Sequence, residues 1–195
     1  MTIDSTSQVL VFDADGVMIK PWGFANALAT QHNITPEMTQ GFFTGVFQQC
    51  LIDEHALEDV LPPFLHEWGW SNNVESFIDF WHQTDDLRDA VMLQQVADYR
   101  AAGRVCCLAS NQDVTRARYM RSSMDFDLLF DRLYFSCDLK AKKPELAFYH
   151  AIQQDLGVPA SNILFYDDSE QHVKGAISAG WQAVWFRSYD DLVED

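Results

Sequence analysis

The first strong hydrophobic run of the chain is Val9-Leu10-Val11-Phe12, and it ends abruptly at Asp13. Four apolar residues in a row, two of them valine and one phenylalanine, favour a strand that is buried on both faces, as in a parallel sheet. Asp15 and Gly16 follow closely, and glycine permits a sharp turn. We therefore predict a strand of a parallel sheet whose carboxyl end carries two acidic side chains.

The chain between about residues 21 and 84 has a different pattern, with apolar residues at helical spacing and no convincing strand. Asp53 and Asn73 can each cap a helix. We expect Pro62-Pro63 to bend or break the helix that Asp53 would cap. The segment is too long for a simple crossover between two strands, so we predict a small bundle of helices that forms a cap over the active site.

A regular alternation of helix and strand follows. We predict a helix over 85–102, with Val91 among its inward residues, and strands at 105–109, 132–135, 163–166 and 183–186 with helices between them. Such alternation requires right-handed crossovers and gives a parallel sheet. The predicted fold class is therefore α/β, a three-layer Rossmann-like core of residues 1–18 and 86–195, with a small inserted α-helical cap at 19–85.

Composition narrows the choice of partners. The 195 residues include 29 acidic residues against 13 Lys and Arg, a net charge of −16, which argues against nucleic acid or an anionic membrane surface as a partner. The four cysteines have no CxxC spacing, which favours a reducing compartment. Residues 1–8 do not resemble a signal peptide, and no apolar run is long enough to span a membrane. We expect a cytoplasmic protein, and the oligomeric state stays open.

Polar side chains follow four of the predicted strands, where ligands usually bind in such sheets. These residues are Asp13, Asp15, Ser110, Asn111, Lys143, Asp167 and Asp168. Each alone is also explained by a turn or by the capping of the next helix. Together they supply the groups that phosphoryl transfer needs: two carboxylates for attack and proton exchange, a hydroxyl and an ammonium for the phosphoryl oxygens, and oxygen ligands for Mg²⁺.

Four stretches, in this order, resemble the motifs of the haloacid dehalogenase-like (HAD) superfamily of hydrolases, in the branch with a helical cap between the first and second motifs. The stretches are Phe12-Asp13-Ala14-Asp15-Gly16-Val17, Leu108-Ala109-Ser110-Asn111, Ser136-Cys137-Asp138-Leu139 through Lys143-Pro144-Glu145, and Tyr166-Asp167-Asp168-Ser169. The resemblance covers nearly the whole chain.

The resemblance implies a role for each acidic residue after the first strand. Asp13 would be the nucleophile and a Mg²⁺ ligand. Asp15 would be the general acid and base, with its backbone carbonyl on the metal. Dehalogenases of the family usually lack an aspartate two residues after the nucleophile, so Asp15 points to phosphatase or phosphomutase chemistry.

The other motif residues would complete the site. By the same resemblance, Lys143 would be catalytic and, with Ser110 and Asn111, would bind the phosphoryl group of the substrate. Asp168 would be a metal ligand, with Asp167 beside it in a direct or a supporting role. We expect a Mg²⁺-dependent phosphatase that hydrolyses a small phosphorylated metabolite through an aspartyl-phosphate. A phosphomutase of the same family, or a fold retained for binding or regulation with little catalysis, are the alternatives.

Two groups of charged residues receive a structural interpretation only. His172 stands where many relatives have asparagine, and we interpret it as a histidine on the surface of a helix. Arg116, Arg118 and Arg121 fall on one predicted helix, and we expect them to form a solvated face.

Overall fold

The computed structural model describes residues 8–193, and its centre is a five-stranded parallel sheet in the order β3-β2-β1-β4-β5. The strands are β1 Val9–Phe12, β2 Val105–Ser110, β3 Arg132–Phe135, β4 Ile163–Asp167 and β5 Gln182–Trp185. All four residues of β1 pair with β2 on one side and with β4 on the other. This central place explains the uninterrupted apolar run of β1, because every one of its residues is buried.

The part of the chain that the structure describes contains eleven α-helices. Those before β2 are α1 Gly23–His32, α2 Pro36–Thr44, α3 Phe47–Cys50, α4 Leu57–Trp68, α5 Val74–Thr84 and α6 Ala90–Ala101. Those after β2 are α7 Val114–Ser122, α8 Phe126–Leu129, α9 Ser136–Leu139, α10 Leu146–Leu156 and α11 Glu170–Ser178. None of these helices is long and apolar enough to cross a membrane.

Alternate residues of β1 lie in two separate hydrophobic cores. Leu10 and Phe12 lie in the core that includes residues of α6 and α7. Val9 and Val11 lie in the core on the opposite face, with residues of α10 and α11. The side chains alternate because successive residues of a strand point to opposite faces. The predicted three-layer α/β fold is therefore confirmed.

Helices α1 to α5 have a hydrophobic core of their own, rich in aromatic rings. The rings of Phe24 and Trp81, for example, stack with their centroids 4.9 Å apart. The exact boundaries of the cap at residues 19 and 85 stay a prediction. The polar segment 1–8, in which we expect no signal peptide, lies outside the described residues except for Gln8, as do residues 194 and 195.

Helix α4 runs through Pro62 and Pro63, so the break expected as one of two effects of these prolines is wrong, and the bend stays a prediction. Both prolines are exposed, as are Glu58 and Asp59, whose carbonyl groups lose their helical partners and can bind water instead. The opposite face buries Leu57, Leu61, Leu65 and Trp68, and this packing holds the helix together.

The helix that follows the cap begins at Ala90 rather than at Asp85. The Asp89 side chain caps it, because Oδ1 accepts hydrogen bonds from the backbone N–H groups of Val91 at 2.9 Å and Met92 at 3.2 Å. Val91 is exposed rather than inward, since this start turns Met92 towards the sheet.

Candidate active site

Six of the seven predicted site residues line one cavity of about 220 Å³ at the carboxyl edge of the sheet. The cavity is lined by Asp13, Asp15, Gly16, Pro21, Ser110, Asn111, Lys143, Asp168 and His172. The seventh predicted residue, Asp167, is fully buried and contacts Lys143. The parallel sheet brings these residues together because β1, β2 and β4 are neighbours and end at the same edge.

Lys143 places a buried ammonium group between two carboxylates. Its Nζ lies 2.7 Å from Asp13 Oδ1 and 2.6 Å from Asp167 Oδ2, and its side chain is completely shielded from solvent. Burial alone would lower the pKa of Lys143, but the charges of Asp13 and Asp167 outweigh burial and raise it. Lys143 is therefore a fixed positive charge directly beside Asp13.

Asp13 and Asp167 have opposite pKa shifts. Burial, and then the negative charge of Asp167, raise the pKa of Asp13 against the opposing effect of Lys143. Burial would also raise the pKa of Asp167, but Lys143 and a hydrogen bond with His172 hold it below its usual range. Asp167 is thus the permanent counter-charge of Lys143, whereas Asp13 is the carboxyl group that faces the cavity.

Asn111 supports Lys143 through the backbone. Its side-chain Nδ2 donates to the Lys143 carbonyl at 3.0 Å, and its Oδ1 accepts from the Lys143 backbone N–H at 2.8 Å. Although Asn111 lines the cavity, both ends of its amide are occupied by the Lys143 backbone. The loop that carries Lys143 is therefore fixed to the end of β2.

Asp15 lies exposed at the mouth of the cavity and shares a hydrogen-bond donor with Ser110. The side-chain Nε2 of Gln112 donates to Asp15 Oδ2 at 2.7 Å and to Ser110 Oγ at 3.0 Å. Gln112 was missed by the sequence analysis. Its position immediately after Ser110-Asn111 was the one signal that could have found it.

His172 belongs to the site, so its interpretation as a helix-surface residue was wrong. Its Nδ1 lies 3.1 Å from Asp167 Oδ1 and 3.2 Å from Oδ2, and its side chain is 23% exposed. Helix α11 begins at Glu170, only three residues after β4, so its first turn stays over the end of that strand. His172, Asp13 and Asp167 bring three potential ligand atoms within 4.8 Å of one another.

The turn at Gly16 touches Asp168. Gly16 has a φ of +81°, and a Cβ there would lie 2.0 Å from Asp168 Oδ2. Burial, and then Asp167, raise the pKa of Asp168. Within residues 8–193, neither Asp15 nor Asp168 forms an ion pair with a cationic side chain. The cavity edge thus has more carboxylates than cations and a set of hard oxygen donors, which suits Mg²⁺.

The loop that precedes Lys143 also contacts the cap. Lys142 Nζ donates to Gln48 Oε1 at 2.9 Å and to the Gln48 carbonyl at 3.2 Å, and Lys140 pairs with Asp53. Asp53 therefore makes a cap-to-core ion pair. It does not cap α4, because the residue before that helix is Ala56.

Arg116 is buried, which corrects the prediction of one solvated arginine face. Its side chain is 2% exposed and donates to the carbonyl groups of His82 and Asp85, both at 3.2 Å, and to Asp85 Oδ2 at 3.4 Å. Arg118 is exposed, and Arg121 pairs with Asp138. Arg116 points inward because the end of the cap packs over this side of α7.

The parallel sheet, the helices inserted after β1 and the acidic cavity at the carboxyl edge define a mixed α/β protein with a helical insertion over its candidate site. The model of the haloacid dehalogenase-like hydrolase family matches residues 8–180, and the chain belongs to this family.

Several solved structures share the fold. A HAD family enzyme from Bacteroides thetaiotaomicron, in complex with magnesium and inorganic phosphate, has a TM-score of 0.76 at 20% identity and covers 95% of this chain and 96% of that one. L-2-haloacid dehalogenase from Xanthobacter autotrophicus, with chloropropionic acid covalently bound, has a TM-score of 0.70 at 18% identity and covers 91% and 76%. At these identities the likeness shows the fold alone.

A shorter sequence match connects the chain to a much longer protein. Drimenol cyclase from Aspergillus calidoustus is 33% identical over 64 residues, which are 33% of this chain and 12% of that protein. The match therefore covers only a small part of that curated relative.

Proposed function

We propose that the chain is a Mg²⁺-dependent phosphatase that hydrolyses a small phosphorylated metabolite through an aspartyl-phosphate on Asp13. The observation that carries the proposal is the pairing of two different carboxylates around one cavity. Asp13 is buried with its Oδ1 2.7 Å from the Lys143 ammonium, whereas Asp15 lies at the mouth with a hydrogen bond from Gln112. The first environment suits a nucleophile, and the second suits a group that exchanges protons.

The proposed reaction has two steps. In the first, a bond forms between the Asp13 carboxylate and phosphorus while the bond from phosphorus to the alcohol oxygen breaks, and that oxygen takes a proton from Asp15. In the second, a water oxygen attacks the same phosphorus, the bond to Asp13 breaks, and Asp15 takes a proton from the water. The products are the alcohol and inorganic phosphate, and both carboxyl groups return to their starting states.

The remaining residues would hold the phosphoryl group. Lys143 and the Ser110 hydroxyl would bind its oxygens, where negative charge is concentrated during transfer. The donor set fits Mg²⁺, which Asp13, the Asp15 carbonyl and Asp168 would hold, with Asp167 beside them. When bound, Mg²⁺ supplies positive charge that offsets the charge of the phosphoryl oxygens. The complex of the Bacteroides enzyme with magnesium and inorganic phosphate supports this choice of metal.

Asp15 also favours a phosphate ester over a haloacid as the substrate. Displacement of a halide needs a nucleophile, but a halide ion leaves without taking a proton. An alkoxide leaves far more readily when an acid protonates it. A phosphomutase would use the same groups and would differ in keeping the phosphoryl group from water.

The chain's charge and cysteines support the proposed partners and location. A net charge of −16 favours a small-molecule substrate over nucleic acid or an anionic membrane surface. Four buried free cysteines, Cys50, Cys106, Cys107 and Cys137, support a reducing, cytoplasmic location.

Release of phosphate and of halide tests the proposal in one assay series. The wild type, Asp13→Asn and the exposed control Asp127→Asn would be given aryl, sugar and short-acid phosphates and 2-chloropropionate, with Mg²⁺ or with EDTA. We expect Mg²⁺-dependent phosphate release by the wild type and the control, and a loss of more than about 1,000-fold in Asp13→Asn, because no nucleophile is left.

Other results would overturn the proposal in distinct ways. Halide release without phosphate release would make the chain a dehalogenase. Turnover that requires a bisphosphate would favour the phosphomutase. Absence of both turnover and a phospho-enzyme would leave a binding or regulatory role, and activity that survives Asp13→Asn would refute the nucleophile.

A further inference from the structure

We propose that Gln112 is a positioning residue that holds both Asp15 and Ser110 in their reactive orientations. The inference rests on the proposed function, in which Asp15 exchanges the proton and Ser110 binds the phosphoryl group. One nitrogen of Gln112 contacts both residues, at 2.7 Å from Asp15 Oδ2 and 3.0 Å from Ser110 Oγ. The Gln112 side chain is therefore the physical link between the proton-exchanging group and the phosphoryl-binding group.

Gln112 is itself held in place at its backbone. Its N–H donates to Ser136 Oγ at 2.9 Å, and the Ser136 hydroxyl donates to the Gln112 carbonyl at 3.3 Å. Ser136 is fully buried at the end of β3, and Gln112 is 6% exposed. Because the backbone is fixed from two directions and the side chain is surrounded, the amide has little freedom to turn away from Asp15.

The hydrogen count of the amide determines what each partner can do. The Gln112 nitrogen carries two hydrogens, and its two contacts use both of them. Ser110 Oγ therefore accepts from Gln112, which leaves its own hydrogen free to be donated to a phosphoryl oxygen. Asp15 Oδ2 accepts the other hydrogen, so the proton that Asp15 exchanges is carried by Oδ1.

The dependence of the rate on the leaving group tests this role. Transfer from 4-nitrophenyl phosphate needs little proton donation because nitrophenolate is a stable anion, whereas transfer from butyl phosphate needs it. The variant Gln112→Met keeps the length of the side chain and removes the donor. We expect kcat/KM for butyl phosphate to fall about 30-fold or more, a part of the roughly 100- to 10,000-fold that a general acid supplies. The aryl ester should lose only the smaller share that comes from Ser110.

Three further variants separate positioning from folding. Gln94→Met is the matched control, because Gln94 is exposed, does not line the cavity, and donates through its Nε2 to Asp98 Oδ1 at 2.8 Å. It should leave both esters unchanged. Adding Asp15→Asn to Gln112→Met should change the aryl-to-alkyl ratio of kcat/KM no further than Asp15→Asn alone, because both act on one proton transfer.

The outcomes distinguish this inference from the proposed function. Equal losses for the two esters in Gln112→Met, in a protein with wild-type circular dichroism and melting temperature, would overturn the positioning role and leave the phosphatase intact. If the wild type hydrolyses neither ester, or if Asp13→Asn remains active, the proposed function fails and the positioning role fails with it.

Discussion

Gly16 occupies a place in which even a methyl group has no room. Replacing Gly16 with alanine would lower the stability of the fold for two separate reasons. Its φ is +81°, and the added Cβ would lie 2.0 Å from Asp168 Oδ2. Gly103 offers a matched control, since its φ is +86° but nothing lies within 4 Å of its Cβ position. We expect Gly103→Ala to cost about 1–2 kcal/mol of unfolding free energy from the backbone alone. Gly16→Ala should cost more and should also lower turnover by about 100-fold or more, since Asp168 must move.

Urea unfolding measures the loss of stability in the two variants, and phosphate release measures the loss of turnover. If Gly16→Ala is no less stable than Gly103→Ala and keeps its turnover, Asp168 tolerates displacement and its proposed metal-binding role is wrong.

Lys143 contributes to stability as well as to the proposed chemistry. Its removal in Lys143→Met leaves Asp13 and Asp167 buried without their cation, which should cost about 3–5 kcal/mol of unfolding free energy and abolish phosphate release. The control Lys174→Met removes an exposed i,i+4 partner of Glu170 and should change the unfolding free energy by no more than about 0.5 kcal/mol. Similar urea curves for the two variants would contradict the prediction.

The sequence motifs identified the residues at strand ends but not their neighbours. Asp13, Ser110 and Asp167 lie at the carboxyl ends of strands, so a parallel sheet brings them together whatever the details of packing. Gln112 was missed and His172 was wrongly interpreted as a helix-surface residue, because their roles depend on the direction in which a side chain leaves a helix or a loop. That direction is set by contacts with residues distant in the sequence.

At the scale of elements, Arg116 connects α7 to the end of the cap. Its guanidinium donates to two carbonyl groups and to the Asp85 carboxylate from a buried position. We expect Arg116→Met to cost about 2–4 kcal/mol of unfolding free energy, because these acceptors lose a charged donor. Arg118→Met, on the exposed face of the same helix, should cost less than about 0.5 kcal/mol. Equal losses in urea unfolding would show that Arg116 is not an anchor of the cap.

His82, on the cap side of the same contact, should make stability depend on pH. Burial, and then Arg116, lower its pKa to about 4. Thr115 and Tyr119 of α7 also lie against its ring. Its pKa in the unfolded chain is about 6.5, so between pH 6.5 and 4 the unfolded state binds a proton that the folded state does not. The effect of His82 on the free energy of unfolding is therefore absent above about pH 6.5. As the pH falls from 6.5 towards 4, this effect lowers the free energy of unfolding by roughly 3 kcal/mol.

Urea unfolding between pH 7 and pH 4 checks this expectation by comparison of variants. His82→Gln should reduce the slope of stability against pH, whereas His150→Gln, an exposed histidine of α10, should keep the wild-type slope. The same slope in all three proteins would exclude His82 as the cause.

The elements themselves were predicted better than their exposed faces and their ends. The strands were predicted from runs of apolar residues, because such runs indicate burial directly. The break expected at Pro62-Pro63 failed because packing on the opposite face of α4 outweighs the lost backbone bonds. The solvated face expected for α7 failed at Arg116 because the cap covers it, and no local pattern in α7 reports the cap.

For the whole molecule, the net charge of −16 means that acidic groups repel one another in the folded state, and added salt should weaken this repulsion. We expect the melting temperature, measured with EDTA to remove divalent ions, to rise by a few degrees between 10 mM and about 150 mM KCl, where screening acts over about 8 Å. The exposed ion pairs weaken under the same conditions, but each contributes little. A melting temperature that falls with salt would show that specific ion pairs outweigh the net repulsion.

The position of β1 has a consequence for how the protein is made. Val9 pairs with Val105 and with Ile163, so within the described sheet β1 has no strand to pair with until β2 has left the ribosome. Helices α1 to α5, which have their own aromatic core, emerge in the interval and can form first. The unpaired backbone edges and the apolar side chains of β1 meanwhile stay open to other nascent chains, so a holding chaperone would be most useful until β2 has left the ribosome.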